Sequence, residues 1–484
     1  DSTIATGGND LALDAGASGN VTLSGALTGK GAMTVRDGAV QSYDALTLTS
    51  LTISDATTSV TLGGALTTDN AVAITSGGTI VQNAALTAGS TLTLSANSGV
   101  DLNQNVTSNG TTTVDTDADD DGSGDFDLAS SKTFTTTNNA LTITANDFIL
   151  NGTSLTSGSG ATTILISDAG TIGVGATSGN MTISAAELQK ITASTLTIGQ
   201  SSGTGNITVD DLATGNTGNI SSTLSLVTNN GISFSNNASS FTPGLDVDAG
   251  GTVTINVGLT GATFDIDGTG TTTIAAAGDI NASGAIGFGA NKTGTLTTSG
   301  DIDTSNDAVR FYRAVTLGGN VDIDTNTGAG NIQFDSTIAT GGNDLALDGG
   351  ASGNVTLSGA LTGGGAMTVR DGAVQSYQAL TLTSLTISDA TTSVTFNNTL
   401  TMSGATDIDS GGTIVINAAI NSSGSSSGTI DIDSTGVTTI AATGDINAGG
   451  AIAFGGTLSG ALTTSGDIDT SNDAVRFYRA VTLG

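Results

Sequence analysis

Apolar residues recur at every second position in short runs along the whole chain, and the runs themselves recur. Thr91-Leu92-Thr93-Leu94 alternates polar and apolar, and Val100-Asp101-Leu102 does so again after a turn through Ser95 to Gly99. Asn103 to Asn105 make a second corner before Val106. A period of two, carried by Thr, Val, Leu and Ile, is the signature of a half-buried strand. The segment 71–110 contains this unit twice: Val72, Ile74, Ile80 and Leu86 fall on Leu92, Leu94, Val100 and Val106, with Gly78 matched to Ser98. The frame returns at Thr272, Ile274, Ile280 and Ile286. Three short strands in about 20–21 residues, each ending at Gly, Asn, Ser or Asp, predict one rung of an all-β parallel β-solenoid, or β-helix, whose coils bury their apolar faces only by stacking. Ser184 to Ile191, which holds Glu187, is the one locally helix-prone segment. Pro243 marks a turn or an edge, because it has no amide to give a ladder.

A longer repeat lies over the short one. Residues 1–61 return as 335–395 with three changes: Ala15 to Gly349, Lys30 to Gly364 and Asp44 to Gln378. Residues 297–318 return unchanged as 463–484. The reading is a single continuous solenoid over 1–484, cut from a longer array, with a long cycle in 1–334 and a shortened one in 335–484. The offset between matching ends is smaller than that between matching starts, so the second cycle lacks a stretch from its middle, roughly eight coils of about 21 residues. A stack tolerates loss of whole coils, whereas a globular core would not. At about 4.8 Å per coil, about 23 coils would make a rod on the order of 110 Å long.

Composition narrows the chemistry. Aromatic residues are 3 % of the chain, so each rung holds a thin aliphatic core. The net charge is −33, from 43 acidic and 10 basic residues, which disfavours nucleic acid and anionic membrane and favours divalent cations. Cys, His and Trp are absent, excluding disulfides, thiol nucleophiles, histidine acid–base chemistry and the usual zinc sites. No apolar run approaches the length of a membrane span, so membrane insertion is not expected.

Two motifs stand out. Asp117, Asp119 and Asp121 alternate ahead of Gly122, the opening of a calcium loop in which hard oxygens surround the ion and Gly makes the sharp turn. The twelfth position is Leu128 rather than Glu, so Ser123 and Asp125 or Asp127 would have to complete the shell; a solvated acidic loop is the alternative. The runs Asp301 to Asp307 and Asp467 to Asp473 read instead as turn-capping residues. Arg310, Phe311, Tyr312 and Arg313 recur as Arg476, Phe477, Tyr478 and Arg479, concentrating four of the ten basic residues. Alternation from Val309 puts Phe311 inward and Arg310 and Tyr312 outward. The group then serves either local packing and pairing with neighbouring Asp or lateral contact with an acidic neighbouring rod.

Phrases such as Ala186-Glu-Leu-Gln-Lys-Ile-Thr-Ala-Ser-Thr-Leu-Thr-Ile-Gly199, Gly328-Ala-Gly-Asn-Ile-Gln-Phe334 and Gly353-Asn-Val-Thr-Leu357 resemble the β-strand repeats of giant bacterial surface proteins of the filamentous-haemagglutinin type. The resemblance implies a right-handed β-helix, secretion, an extracellular or cell-surface location, and non-catalytic roles in adhesion, biofilm or fibres. Self-association and contact with glycans or cell surfaces would follow. A carbohydrate-binding or carbohydrate-cleaving β-helix and an ice-binding solenoid are the alternatives, although scattered Lys and Arg argue against a lyase and Thr alternation is already demanded by the strands.

Overall fold

The computed structural model describes residues 2–425 and 427–484. These residues form short parallel strands almost throughout, with one four-residue α-helix, Ala185–Leu188, and one 3-10 turn, Thr214–Asn216, among them. The chain divides into two compact units, residues 1–250 and 251–484, each a stack of parallel β-coils.

In the first unit the register follows the short repeat frame. Val72 lies on Leu92, Ile74 on Leu94, Ile80 on Val100 and Leu86 on Val106. The Ser98 amide donates to the Gly78 carbonyl across the corner at 3.0 Å. Strands Leu92–Ala96, Val100–Leu102 and Val106–Ser108 make one coil, and each points alternate side chains inward. Outward positions stack as well: Thr47, Thr67, Thr87, Thr107, Thr135, Thr156 and Thr192 form one continuous ladder. Phe126 widens the core locally, stacking on Phe148 with ring centroids 5.3 Å apart and on Phe134 at 6.2 Å. The helix forms because Ser184 and Glu187 cap each other's backbone amides, and Glu187 also accepts from the Leu150 amide at 2.9 Å. Pro243 lies in the bend before strand Gly244–Ala249.

The expected polar exterior has a systematic exception. Inward-facing hydroxyls at strand ends are buried and donate to the corner two residues on, as Thr68 to the Asn70 carbonyl at 2.7 Å and Ser108 to Gly110 at 3.1 Å. Corners bend away from the ladder, so their carbonyls need donors that no neighbouring strand supplies, and a short hydroxyl side chain meets the need without filling the core.

In the second unit the coils vary in length around the same period. Ile280 lies on Ile302, which lies on Ile323; Ile286, Val309 and Ile332 form the next ladder, and Leu296, Val315 and Ile338 the third. Phe288, Phe311 and Phe334 stack nearly parallel down its core, with centroids 5.2 Å and 4.3 Å apart. The same corner hydroxyls recur in Thr298 with Gly300 and Ser434 with Gly436.

Candidate functional site

The acidic run is an insertion at one corner. The step from Leu92 to its registered neighbour Thr112 is one short coil, but the step from Thr112 to its own neighbour Leu141 is longer, and the extra chain is the loop that carries the aspartates. Asp117 is its anchor: fully buried, it accepts the Asp121 amide on Oδ1 at 3.1 Å and, on Oδ2, the Gly122 amide at 3.0 Å and the Ser167 hydroxyl at 2.7 Å. Asp120 and Gly122 both take positive φ, 53° and 81°, which folds the loop back over that carboxylate. Asp119 and Asp121 are exposed, and each of Asp117, Asp119 and Asp121 offers an oxygen within 4.8 Å of the others. The Ser123 hydroxyl donates to Asp121.

Asp125 and Asp127 lie outside that three-carboxylate group. Asp125 accepts from Asn146 at 3.2 Å, and Asp127 sits outward in strand Phe126–Leu128, registered between Asp101 and Ile149. Burial, then the charge of Asp101, pushes the Asp127 carboxyl above the ordinary carboxylate range. A neighbour that the run itself does not contain is Asp168: a Cβ built on Gly122 would lie 2.6 Å from its Oδ2. Asp168 follows Ser167, itself far along the chain from Asp117, so only the coil period could have brought it to attention. Asp117, Asp119 and Asp121 are close enough together that they could share a hard cation, with Asp168 at the loop's edge.

The Arg-Phe-Tyr-Arg group splits. Arg310 points outward, donates from Nε to Asp335 Oδ2 at 2.9 Å, and lays its guanidinium 4.4 Å from the centre of the Tyr312 ring. Phe311 is in the aromatic stack. Arg313 does not join this outer patch: it is buried, with its side chain 3 % exposed beside an equally buried Asp267 at 3.5 Å. Alternation from Val309, carried two residues past Phe311, puts position 313 on the inner face. Arg479 is buried in the same way beside Asp433 at 3.5 Å, while Phe477 and Tyr478 are 45 % and 56 % exposed, Phe477 stacking on Phe454. Arg476 is exposed with them.

A third cluster, in the second unit, begins in the Asp301 to Asp307 run: Asp303, read from sequence as turn-capping, stands in strand Ile302–Thr304 instead. Asp303 registers on Asp324, and Asp324 on Asp348. Arg370 reaches back two coils, gripping Asp322 with two bonds of 2.7 Å and touching Asp348 at 3.1 Å and Asp324 at 3.5 Å. Among the described residues no arginine pairs with Asp303; burial, then Asp324, Asp322, Asp301 and Asp279, push it up to about 6. Asp409 is pushed up to about 6 by burial and by Asp407, Asp433, Asp431 and Asp389. Asp279 and Asp445 behave as coil caps, accepting the amides of Asp301 and Asp467 at 2.9 Å and 3.0 Å.

No family model, curated protein or solved structure matches the chain. Its class is set by the coils themselves: a β-solenoid repeat protein, nearly all β, with parallel sheets.

Proposed function

We propose that this chain is a structural, non-catalytic segment of an extracellular bacterial fibre or adhesin, which projects or assembles rather than converts a substrate. The observation that carries the reading is the coil-on-coil register, in which nearly every inward position is spent on packing and the outward ones form ladders of Thr, Asn and Asp. General acid–base work needs convergent groups around a substrate, and here the arginines with the shortest carboxylate contacts are held in ion pairs along the coils. Self-association of like chains is the partner proposed, with Arg310 and Tyr312 as the outward contact. Imaging of the full-length protein on its cell is expected to show extended surface structures; location inside the cell would overturn the reading.

Calcium at Asp117, Asp119 and Asp121 belongs to the same proposal. Removing the mutual repulsion of three close carboxylates should give a saturable thermal stabilisation by calcium that sodium at matched ionic strength does not reproduce. Retention of that effect in Asp119→Ala with Asp121→Ala would show that the ion sits elsewhere.

A carbohydrate-binding role is the second reading, favoured by a polar cleft of about 380 Å³ lined by Asn281, Ser283, Asp303 and Ser305, whose counterpart of about 330 Å³ uses Asn447, Gly449, Asp469 and Ser471. Binding on a glycan array that is lost in Asn281→Ala with Asn447→Ala would establish it.

A further inference from the structure

A buried arginine is out of place in a thin aliphatic core, and this protein has two, built alike. Arg313 passes over Gly289, whose φ is +81° and where an added Cβ would stand 2.0 Å from its Nε. Beyond that gap its guanidinium meets Thr272 Oγ1 at 3.1 Å, the carbonyls of Ile266 and Gly268 at 3.3 Å and 3.4 Å, and Asp267. Arg479 passes over Gly455, φ +79°, and meets Thr438 Oγ1 at 2.9 Å, the Ile432 carbonyl at 2.7 Å, Ser434 Oγ at 3.1 Å and Asp433. Each member of the second set stands at the same offset from its counterpart as residue 463 from 297, and where Gly268 offers a carbonyl Ser434 offers its hydroxyl. The geometry survives a change in its own partner residue.

The reach of this contact is its distinctive property. Thr272 registers on Leu296 and Leu296 on Val315, one coil at each step, whereas Arg313 lies 46 residues from Asp267, two coils away. The aliphatic ladders cannot distinguish one coil from the next: along three coils they read Ile280, Ile302, Ile323 and Ile286, Val309, Ile332. Slipping by one coil exchanges Ile for Ile or Val for Ile and leaves the apolar core nearly intact. It would not leave the arginine intact. Ile266 registers on Phe288, so Asp267 falls opposite Gly289, and a slip that stacks the Arg313 coil directly on the Asp267 coil puts the aspartate side chain in the gap that Gly289 leaves open for the arginine. The guanidinium is then shut out from its acceptors at Thr272, Ile266 and Gly268, and a buried charge with unmet donors is among the most unfavourable states a core can hold, so the misstacked arrangement is rejected.

We infer that the Arg313–Asp267 and Arg479–Asp433 pairs are register locks, which specify which coil stacks on which in a repeat whose apolar pattern is degenerate. Polar groups buried at a stability cost serve this purpose elsewhere by fixing the register of otherwise interchangeable apolar seams. The absence of cysteine makes the register directly readable. Thr273 lies opposite Thr297, and Thr297 opposite Thr316, so Thr273 and Thr316 are two rungs apart, about 9.6 Å, beyond disulfide reach; a one-coil slip makes them direct neighbours. The full chain carrying Thr273→Cys and Thr316→Cys is refolded under oxidising conditions, alone and with Arg313→Met plus Asp267→Asn, which removes both charges and retains an acceptor for the Asn291 amide. The parent should remain unlinked, and the neutral variant should refold to a β-rich state with several-fold more linked product. Arg313→Lys, which keeps a positive charge, should remain at the parent level. Linkage in the neutral variant no higher than in the parent overturns the inference, as does equal linkage in the lysine variant. Failure of the neutral variant to refold would show the pair to be a stabilising element instead, and overturns it too.

Discussion

The acidic loop of the first unit and the aspartate rows of the second carry negative charge in two different ways. In residues 1–250 three aspartates are moved off the ladder into an inserted loop, where one of them is buried and spends its lone pairs on amides and a hydroxyl. In residues 251–484 aspartates stay on the ladder, so that Asp303, Asp324 and Asp348 occupy successive rungs and one arginine is shared among several carboxylates. Parallel stacking sets equivalent side chains about 4.8 Å apart, and like charges at that spacing repel unless something intervenes. The contrast teaches that a solenoid can relieve such a row by exporting the charges to a corner or by inserting a counter-charge that spans two coils.

Breaking the corner device should have the largest effect. Asp117→Ala leaves two amides and a hydroxyl inside the loop without an acceptor, and a cost of about 2–3 kcal/mol is expected in urea unfolding followed by circular dichroism. A change below about 0.5 kcal/mol, the usual range for a surface substitution, would mean that the loop is ordered by something other than Asp117. Next is Arg370→Gln: its side chain is 38 % exposed, so the pairs are screened and a loss of about 1–2 kcal/mol at low ionic strength is expected, shrinking as salt rises. A loss that is the same at low and high salt would count against the repulsion argument. The smallest effect is a gain. Asp303 and Asp409 have folded pKa values raised to about 6, so their favourable contribution is complete below the ordinary carboxylate range and is lost as pH rises through about 6. Stability should therefore rise on acidification from pH 7 to pH 5. Asp303→Asn should add on the order of 1 kcal/mol at pH 7, after allowance for solvent screening, and nothing at pH 4. Thermal midpoints across that range decide the matter.

The fold was legible because a solenoid writes its contacts into its period. Val72 on Leu92 and Ile80 on Val100 follow from counting along the short repeat, with no knowledge of the third dimension. Glu187 and Ser184 could be read as a helix start for the same local reason. Contacts that skip a coil were not legible. Arg370 with Asp322 spans 48 residues and Asp117 with Ser167 spans 50, and neither distance is marked by a motif. Arg313 is the instructive case: the alternation that puts Phe311 inward, carried two residues further, puts Arg313 inward too, yet the sequence reading took it only as part of a group. Buried hydroxyls at the corners escaped for a related reason: Thr68 and Ser108 look like any other polar strand residue until the carbonyl that needs them is seen.

The acidic loop also shows how little the stack knows about its own corners. Thr112–Asp115 pairs on one side with Leu92–Ala96 and on the other with Leu141–Ala145, in unbroken register, although the routes to the two neighbours differ in length. The ladder samples the chain only where it enters and leaves a rung. The corner after Asp115 is thus a natural mounting point: a foreign peptide spliced between Gly122 and Ser123, which keeps Asp117 with its bonds and the backbone links of Ala118, Gly124 and Asp125 to neighbouring rungs, would be presented to solvent, and its length would be a free choice for whoever grafts it.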